Sequence, residues 1–298
     1  MTSDERAYYT SHSAVSDPGE MVRLLDVMPA DPERLVAAVS GVVLHRLFLT
    51  PLGLTAPPHA QDDLDSRLLR TILERIVARD GAPLDTPRPP ERRFIGICRD
   101  YALLACAVLR HHGIPARVRV GFATYFQPGF YDDHWVCEYY LGDRWRLLDA
   151  ELSERVRHHF SIPFPSSDVP QDRFLVAGDI WRRIRRGALD PGVCGVGSER
   201  LTGTWFVGAA VVRDLACLNK REMLGWDYWG MALDFSGPGT HVPDAAAAQL
   251  DAVAAIIGPG EPDWKVLRDL YEGTEALRVP AVVRSFGPAG PKEVSVPV

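Results

Sequence analysis

Apolar positions recur three and four apart in the first third of the chain and alternate with polar ones near its middle. Asp31-Pro32-Glu33 supplies an N-cap, a proline at the first helical position and a first-turn acid, which predicts a helix over 31–48. Leu68, Leu69, Ile72, Leu73 and Ile76 predict a second helix from about Asp62, stopped by Gly81-Ala82-Pro83. Residues 102–109 are apolar on every face, the pattern of a helix buried all round. Gly113 at a C′ position and Pro115 just beyond it end that helix. Val118, Val120 and Phe122 then alternate with Arg117, Arg119 and Gly121, so a strand follows. A turn-rich loop over 127–133 leads to a strand over 134–141, Gly142-Asp143 reads as a two-residue hairpin turn, and a strand over 144–151 returns.

Outside this centre the pattern predicts a flexible leader over 1–18 and an extended, proline-rich approach over 84–93. A crossover over 162–170 follows the hairpin, then helices near 174–186, 206–224, 243–257 and 263–277. A loosely ordered tail occupies 280–298. The expected fold class is therefore α+β. A helical lead-in and the central helix-and-hairpin core fill 19–165, and a helical extension over 166–279 packs on that core.

Composition narrows the class. With 298 residues, 46% hydrophobic content and net charge −6, the chain can bury a sizeable core and offers no electrostatic footprint for nucleic acid. The one basic run, Arg182-Arg183-Ile184-Arg185-Arg186, reads as a solvated helix face. No apolar stretch reaches the ~18–20 residues of a membrane span, and the polar start Met1-Thr2-Ser3-Asp4-Glu5-Arg6 has no signal-like apolar region. Five cysteines, at 98, 106, 137, 194 and 217, form no C-x-x-C pair, which argues against a disulfide framework or structural zinc and for a cytoplasmic protein.

The chemistry centres on Cys98. Placed at the start of the buried helix, its thiol meets the positive end of the helix dipole, where free N–H groups favour a thiolate and could hold an oxyanion. His134 and Asp149 follow on the hairpin. If Gly142-Asp143 is a two-residue turn, facing residues have numbers summing to 285, so His134 faces Glu151 and Val136 faces Asp149. His134, Val136, Asp149 and Glu151 then share one face, and His134 and Asp149 are diagonal neighbours about 7–8 Å apart. A helix-initial Cys followed by His and Asp on one hairpin face is the pattern of a nucleophile, its base and an orienting carboxylate.

At these residues the chain resembles the transglutaminase-like superfamily. The resemblance rests on Gly96-Ile97-Cys98-Arg99-Asp100-Tyr101-Ala102, on 109–118, on Asp133-His134-Trp135-Val136-Cys137-Glu138-Tyr139 and on Trp145-Arg146-Leu147-Leu148-Asp149, about residues 90–152 in all. It implies a papain-like cysteine-protease core, a Cys-bearing helix on an antiparallel sheet, with Cys98 as nucleophile, His134 as general base and acid, and Asp149 as orienting carboxylate. The flanks 169–178 and 213–220 are similar to a bacterial subgroup of stand-alone transglutaminase-like proteins. Many members read His-Ala-Trp and Asp-Pro where this chain has His134-Trp135 and Asp149-Ala150, which moves the Trp to the other strand face. No Gln shortly before Cys98 completes an oxyanion hole.

Substrate-contact candidates are Trp135, Glu151, Arg99, Trp205 and Trp226, with Trp229 joining the last two as pocket wall. Cys106 and Cys137 read as core, and neither His111-His112 nor His158-His159 has metal-ligand spacing. The expected activity is acyl transfer through a Cys98 thioester to an amine. The alternatives are a peptidase or amidase that uses water and, from another class, a binding module that has lost catalysis. The partners are an acyl donor (peptide, amide or thioester), an amine or water acceptor and a carrier protein. No cofactor, nucleic acid or membrane is expected.

Overall fold

The computed structural model describes residues 1–51, 53–258 and 261–297. Two units emerge, one of Met1–Val118, Val136–Val169 and Gly287–Ala289, the other of Arg119–Trp135, Pro170–Phe286 and Gly290–Val298. A cut at 165 along the sequence does not describe them, because two strands cross the boundary: β3 (Ala116–Ala123) and β4 (Tyr131–Leu141). Helices and mostly antiparallel strands occur in both units, so the fold is α+β.

The first unit begins with α1 (Ser3–Thr10), α2 (Pro32–Val42), α3 (Ala60–Leu64) and α4 (Leu69–Arg79). The segment expected to be a flexible leader is tied down. Tyr9 is fully buried, edge-on to Trp145 with ring centres 5.5 Å apart, and Ser16 Oγ accepts a 2.8 Å hydrogen bond from Arg110. Polarity disguised it, since its anchors are single aromatic and hydroxyl groups without periodicity. Asp31 caps α2 as expected, accepting from the Arg34 N–H at 3.0 Å. That helix stops at Val42 rather than 48, because β1 (Val43–His45) pairs in parallel with β2 (Phe94–Gly96).

α5 (Cys98–His111) follows β2, with every residue from Cys98 to Arg110 buried. It ends at Gly113, which has φ +73°, while the Ile114 N–H returns to the Leu109 carbonyl at 2.9 Å. β4 and β5 (Arg144–Leu148) form an antiparallel hairpin in the register Cys137↔Leu148, Glu138↔Leu147, Tyr139↔Arg146, Tyr140↔Trp145 and Leu141↔Arg144. Every pair sums to 285, as the two-residue turn requires, and Gly142 has the positive φ (+73°) such a turn needs. α6 (Glu154–His159) closes this unit's helices.

In the second unit β6 (Phe174–Val176) pairs with β3 over 121–123. Gly121 is required there, because a Cβ would sit 2.3 Å from the Leu175 carbonyl oxygen. β7 (Cys194–Val196) runs parallel to β4 at Tyr131 and Asp132, and β8 (Leu201–Thr202) pairs with β7. The helices are α7 (Ala177–Arg185), α8 (Thr204–Leu218), α9 (Asp244–Ile257) and α10 (Trp264–Gly273). Arg119 grips Asp214 of α8 with two bonds, Nε to Oδ1 at 3.0 Å and Nη2 to Oδ2 at 2.9 Å, and thereby ties β3 to that helix. The tail expected to be loose contributes β10 (Val282–Ser285) and β11 (Lys292–Ser295), which form a sheet with β9 (Asp227–Tyr228). Val298, its last residue, lies outside the described residues.

Candidate active site

Cys98 is the first residue of α5 and is buried. The helix start is held by Asp100, whose Oδ2 accepts from the Ile97 N–H at 2.9 Å, while the Asp100 N–H donates to the Ile97 carbonyl at 2.9 Å. Burial pushes the Asp100 carboxyl up, and the Arg99 guanidinium, 2.9 Å from Oδ1, works against that shift. Arg99 itself is fully buried and donates to Asp100 and to the Arg67 carbonyl at 2.5 Å. These partners hold it in the protein interior.

A second anchor sits one strand earlier. The Ile95 N–H donates to Asp63 Oδ2 at 2.9 Å, and Tyr101 Oη donates to the Val43 carbonyl at 3.0 Å. Gly96 allows this close fit, because a Cβ there would lie 2.8 Å from Asp100 Oδ2 and 3.1 Å from Val43 Cγ1. Gly96→Ala is accordingly expected to cost about 1–3 kcal/mol of stability. It should also slow alkylation of Cys98, and a urea midpoint and an iodoacetamide rate would check the two effects.

Asp149 follows β5 and is buried. The strand ends at Leu148, short of the expected 151, because the chain turns: the Glu151 N–H donates to Asp149 Oδ1 at 3.0 Å and the Leu152 N–H to the Asp149 carbonyl at 3.2 Å. The Asp149 N–H donates to the Ser166 carbonyl at 2.8 Å, which fixes its backbone. Glu151 is buried in that turn, off the strand ladder that would have set it opposite His134.

His134 lies in the part of β4 that belongs to the second unit, two positions before the boundary, and is buried. Three aromatic rings surround the imidazole there: Tyr125 at 6.0 Å, Phe126 at 5.2 Å and Phe174 at 6.4 Å between ring centres, all near edge-to-face. Reading the sequence missed this set. Tyr125 and Phe126 fall just after β3 in a stretch without periodicity, and Phe174 is 40 residues from His134. Trp135 is buried and, by alternation along the strand, faces away from His134. Trp205 is buried with its Nε1–H on the Thr202 carbonyl at 2.8 Å, and Trp229 similarly donates to the Leu277 carbonyl at 3.1 Å. Trp226 is half-buried, and its carbonyl accepts from the Phe286 N–H at 2.9 Å.

Asp132 and Asp133 precede His134, and burial pushes both carboxyls up to about 6. For Asp132 the Gln127 hydrogen bond opposes the shift, and for Asp133 the charge of Arg213 does. Because the folded-state values exceed the unfolded one, the fold binds protons between about pH 4 and 6 that the unfolded chain does not. These groups therefore make the protein more stable as pH falls from 7 towards 4. Asp133→Asn should flatten that dependence and raise stability at pH 7, as denaturant midpoints at pH 5 and 7 would show.

All five cysteines are buried and none is in a disulfide, and burial pushes the Cys194 thiol up to about 12. Among the described residues no group of three or more His, Cys, Asp or Glu could hold a metal ion, and no helix is long and apolar enough to cross a membrane.

Residues 69–150 match the model of the transglutaminase-like superfamily. Over this segment the chain is similar to that family's core. The segment contains α5 with Cys98, the β4–β5 hairpin, His134 and Asp149, in the order the resemblance requires. No curated protein matches the chain. Among solved structures, a candidate cysteine protease from Cytophaga hutchinsonii is similar at 20% identity and a TM-score of 0.35, over 59% of this chain and 46% of that one. The chain thus spans under half of that protein's length, and a TM-score so low carries no argument about the transglutaminase-like core.

Proposed function

We propose that the protein is a thiol acyl-transfer enzyme. The Cys98 thiolate attacks an amide or thioester carbonyl, and backbone N–H groups at the positive end of α5 receive the oxyanion. The leaving group departs with a proton from His134, which leaves a thioester on Cys98. An amine acceptor then gives its proton to His134 as its nitrogen attacks, forming an amide and freeing the thiol. Asp149 orients the imidazole throughout.

The observation that carries this reading is that one transglutaminase-like segment holds a helix-initial cysteine followed by His134 and Asp149. The aromatic rings on His134 support an amine as acceptor, since transfer succeeds only where water is kept from the thioester. Incubation with a small activated ester and intact-mass analysis tests the proposal. One acyl group should add to the wild type and none to Cys98→Ala, and a primary amine should discharge it faster than water. Discharge by water alone would make the enzyme an amidase or peptidase. No acylation by ester, amide or thioester donors would leave a binding module.

A further inference from the structure

Arg213, in the third turn of α8, is 4% exposed. Its Nε and Nη2 are buried and have no hydrogen-bond partner. The guanidinium carbon lies 4.4 Å from the centre of the Tyr228 ring, so one face of the group is covered. Asp133 feels its charge without bonding to Nε or Nη2. A guanidinium cannot shed its proton to escape burial, so an unpaired buried arginine is costly.

The neighbouring ion pair shows what the empty edge suits. Arg119 holds Asp214, the residue after Arg213, through the same two atoms, Nε at 3.0 Å and Nη2 at 2.9 Å. That edge presents two parallel N–H bonds to the two oxygens of one carboxylate. Arg213 offers the same edge with no protein carboxylate in it.

We infer that Arg213 anchors a binding site for a carboxylate-bearing small molecule in the second unit, with the Tyr228 ring as its floor. A monoanionic carboxylate fits better than a phosphate. Asp133 brings negative charge beside the site, and Arg213 lies far from the amino end of α8. Asp133 points to the strand face opposite His134, so this site stands or falls independently of the Cys98 chemistry.

The test is thermal unfolding of the full chain in sodium acetate against sodium chloride at equal ionic strength and pH 7. Acetate should raise the wild-type Tm with the logarithm of its concentration above Kd, by about 3 °C at tenfold excess. Arg213→Met should unfold at a higher temperature than the wild type in chloride and lose the acetate response. Arg213→Lys, which keeps the charge but not the edge, should lose it too. If neither variant folds, an acetate-dependent shift of a single arginine Nε–H signal in the wild-type nitrogen–proton spectrum gives the same answer. The inference is overturned if acetate does no more than chloride, if Arg213→Met responds as the wild type does, or if inorganic phosphate stabilises and acetate does not.

Discussion

Cys98→Ala should lower acyl transfer by about ten-thousandfold or more while leaving the chain folded. Alanine is a better helix former than cysteine, and Asp100, Ile97 and Gly96 hold the start of α5 through contacts of their own. The loss should be chemical, visible as a vanished acyl-enzyme with an unchanged denaturant midpoint. His134→Ala should cause a loss of similar size. The double variant should be no worse than either single one, because a nucleophile and its base act as one device. Roughly additive losses from the two substitutions would show that they serve separate functions.

Asp63→Ala is expected to destabilise the first unit by about 3–5 kcal/mol, the usual loss when one partner of a buried ion pair is removed. The Asp63 carboxylate is fully buried. It takes both terminal nitrogens of Arg79 (Nη1 at 2.7 Å), Arg75 at 3.4 Å and the Ile95 N–H at 2.9 Å. Removing it strands an amide of β2, the strand that leads directly into Cys98. A fall in Tm of about 10 °C, with slower alkylation of Cys98, would be the signature. A change under about 0.5 kcal/mol would mean that solvent takes over these donors unaided.

The parts legible in the sequence are those governed by short-range rules. Gly142-Asp143 set the hairpin register to the residue, because a two-residue turn leaves no freedom in pairing. Asp31 and Gly113 marked a helix start and a helix end through their caps. What stayed hidden depends on partners far apart in the chain. The first helix breaks at Val42 because Phe94-Ile95-Gly96 pairs with the residues after it, and no local pattern announces that pairing. Nothing local to Arg99 announces that it donates to a carbonyl 32 residues away as well as to Asp100. The tail and leader looked loose because their anchoring groups are isolated. The surroundings of His134 were not legible, because its rings come from a loop and a distant strand.

The central claim, that Cys98 is an activated nucleophile paired with His134, can be tested without knowing any substrate. The rate of Cys98 alkylation by iodoacetamide would be followed from pH 4 to 10 in the wild type and in His134→Ala, with the other four cysteines read by peptide mass analysis. A thiolate–imidazolium pair predicts wild-type alkylation that persists well below the ordinary thiol range, near 8.5, and a return to that range in His134→Ala. A wild-type profile that already follows an ordinary thiol, unchanged by removal of His134, would contradict it.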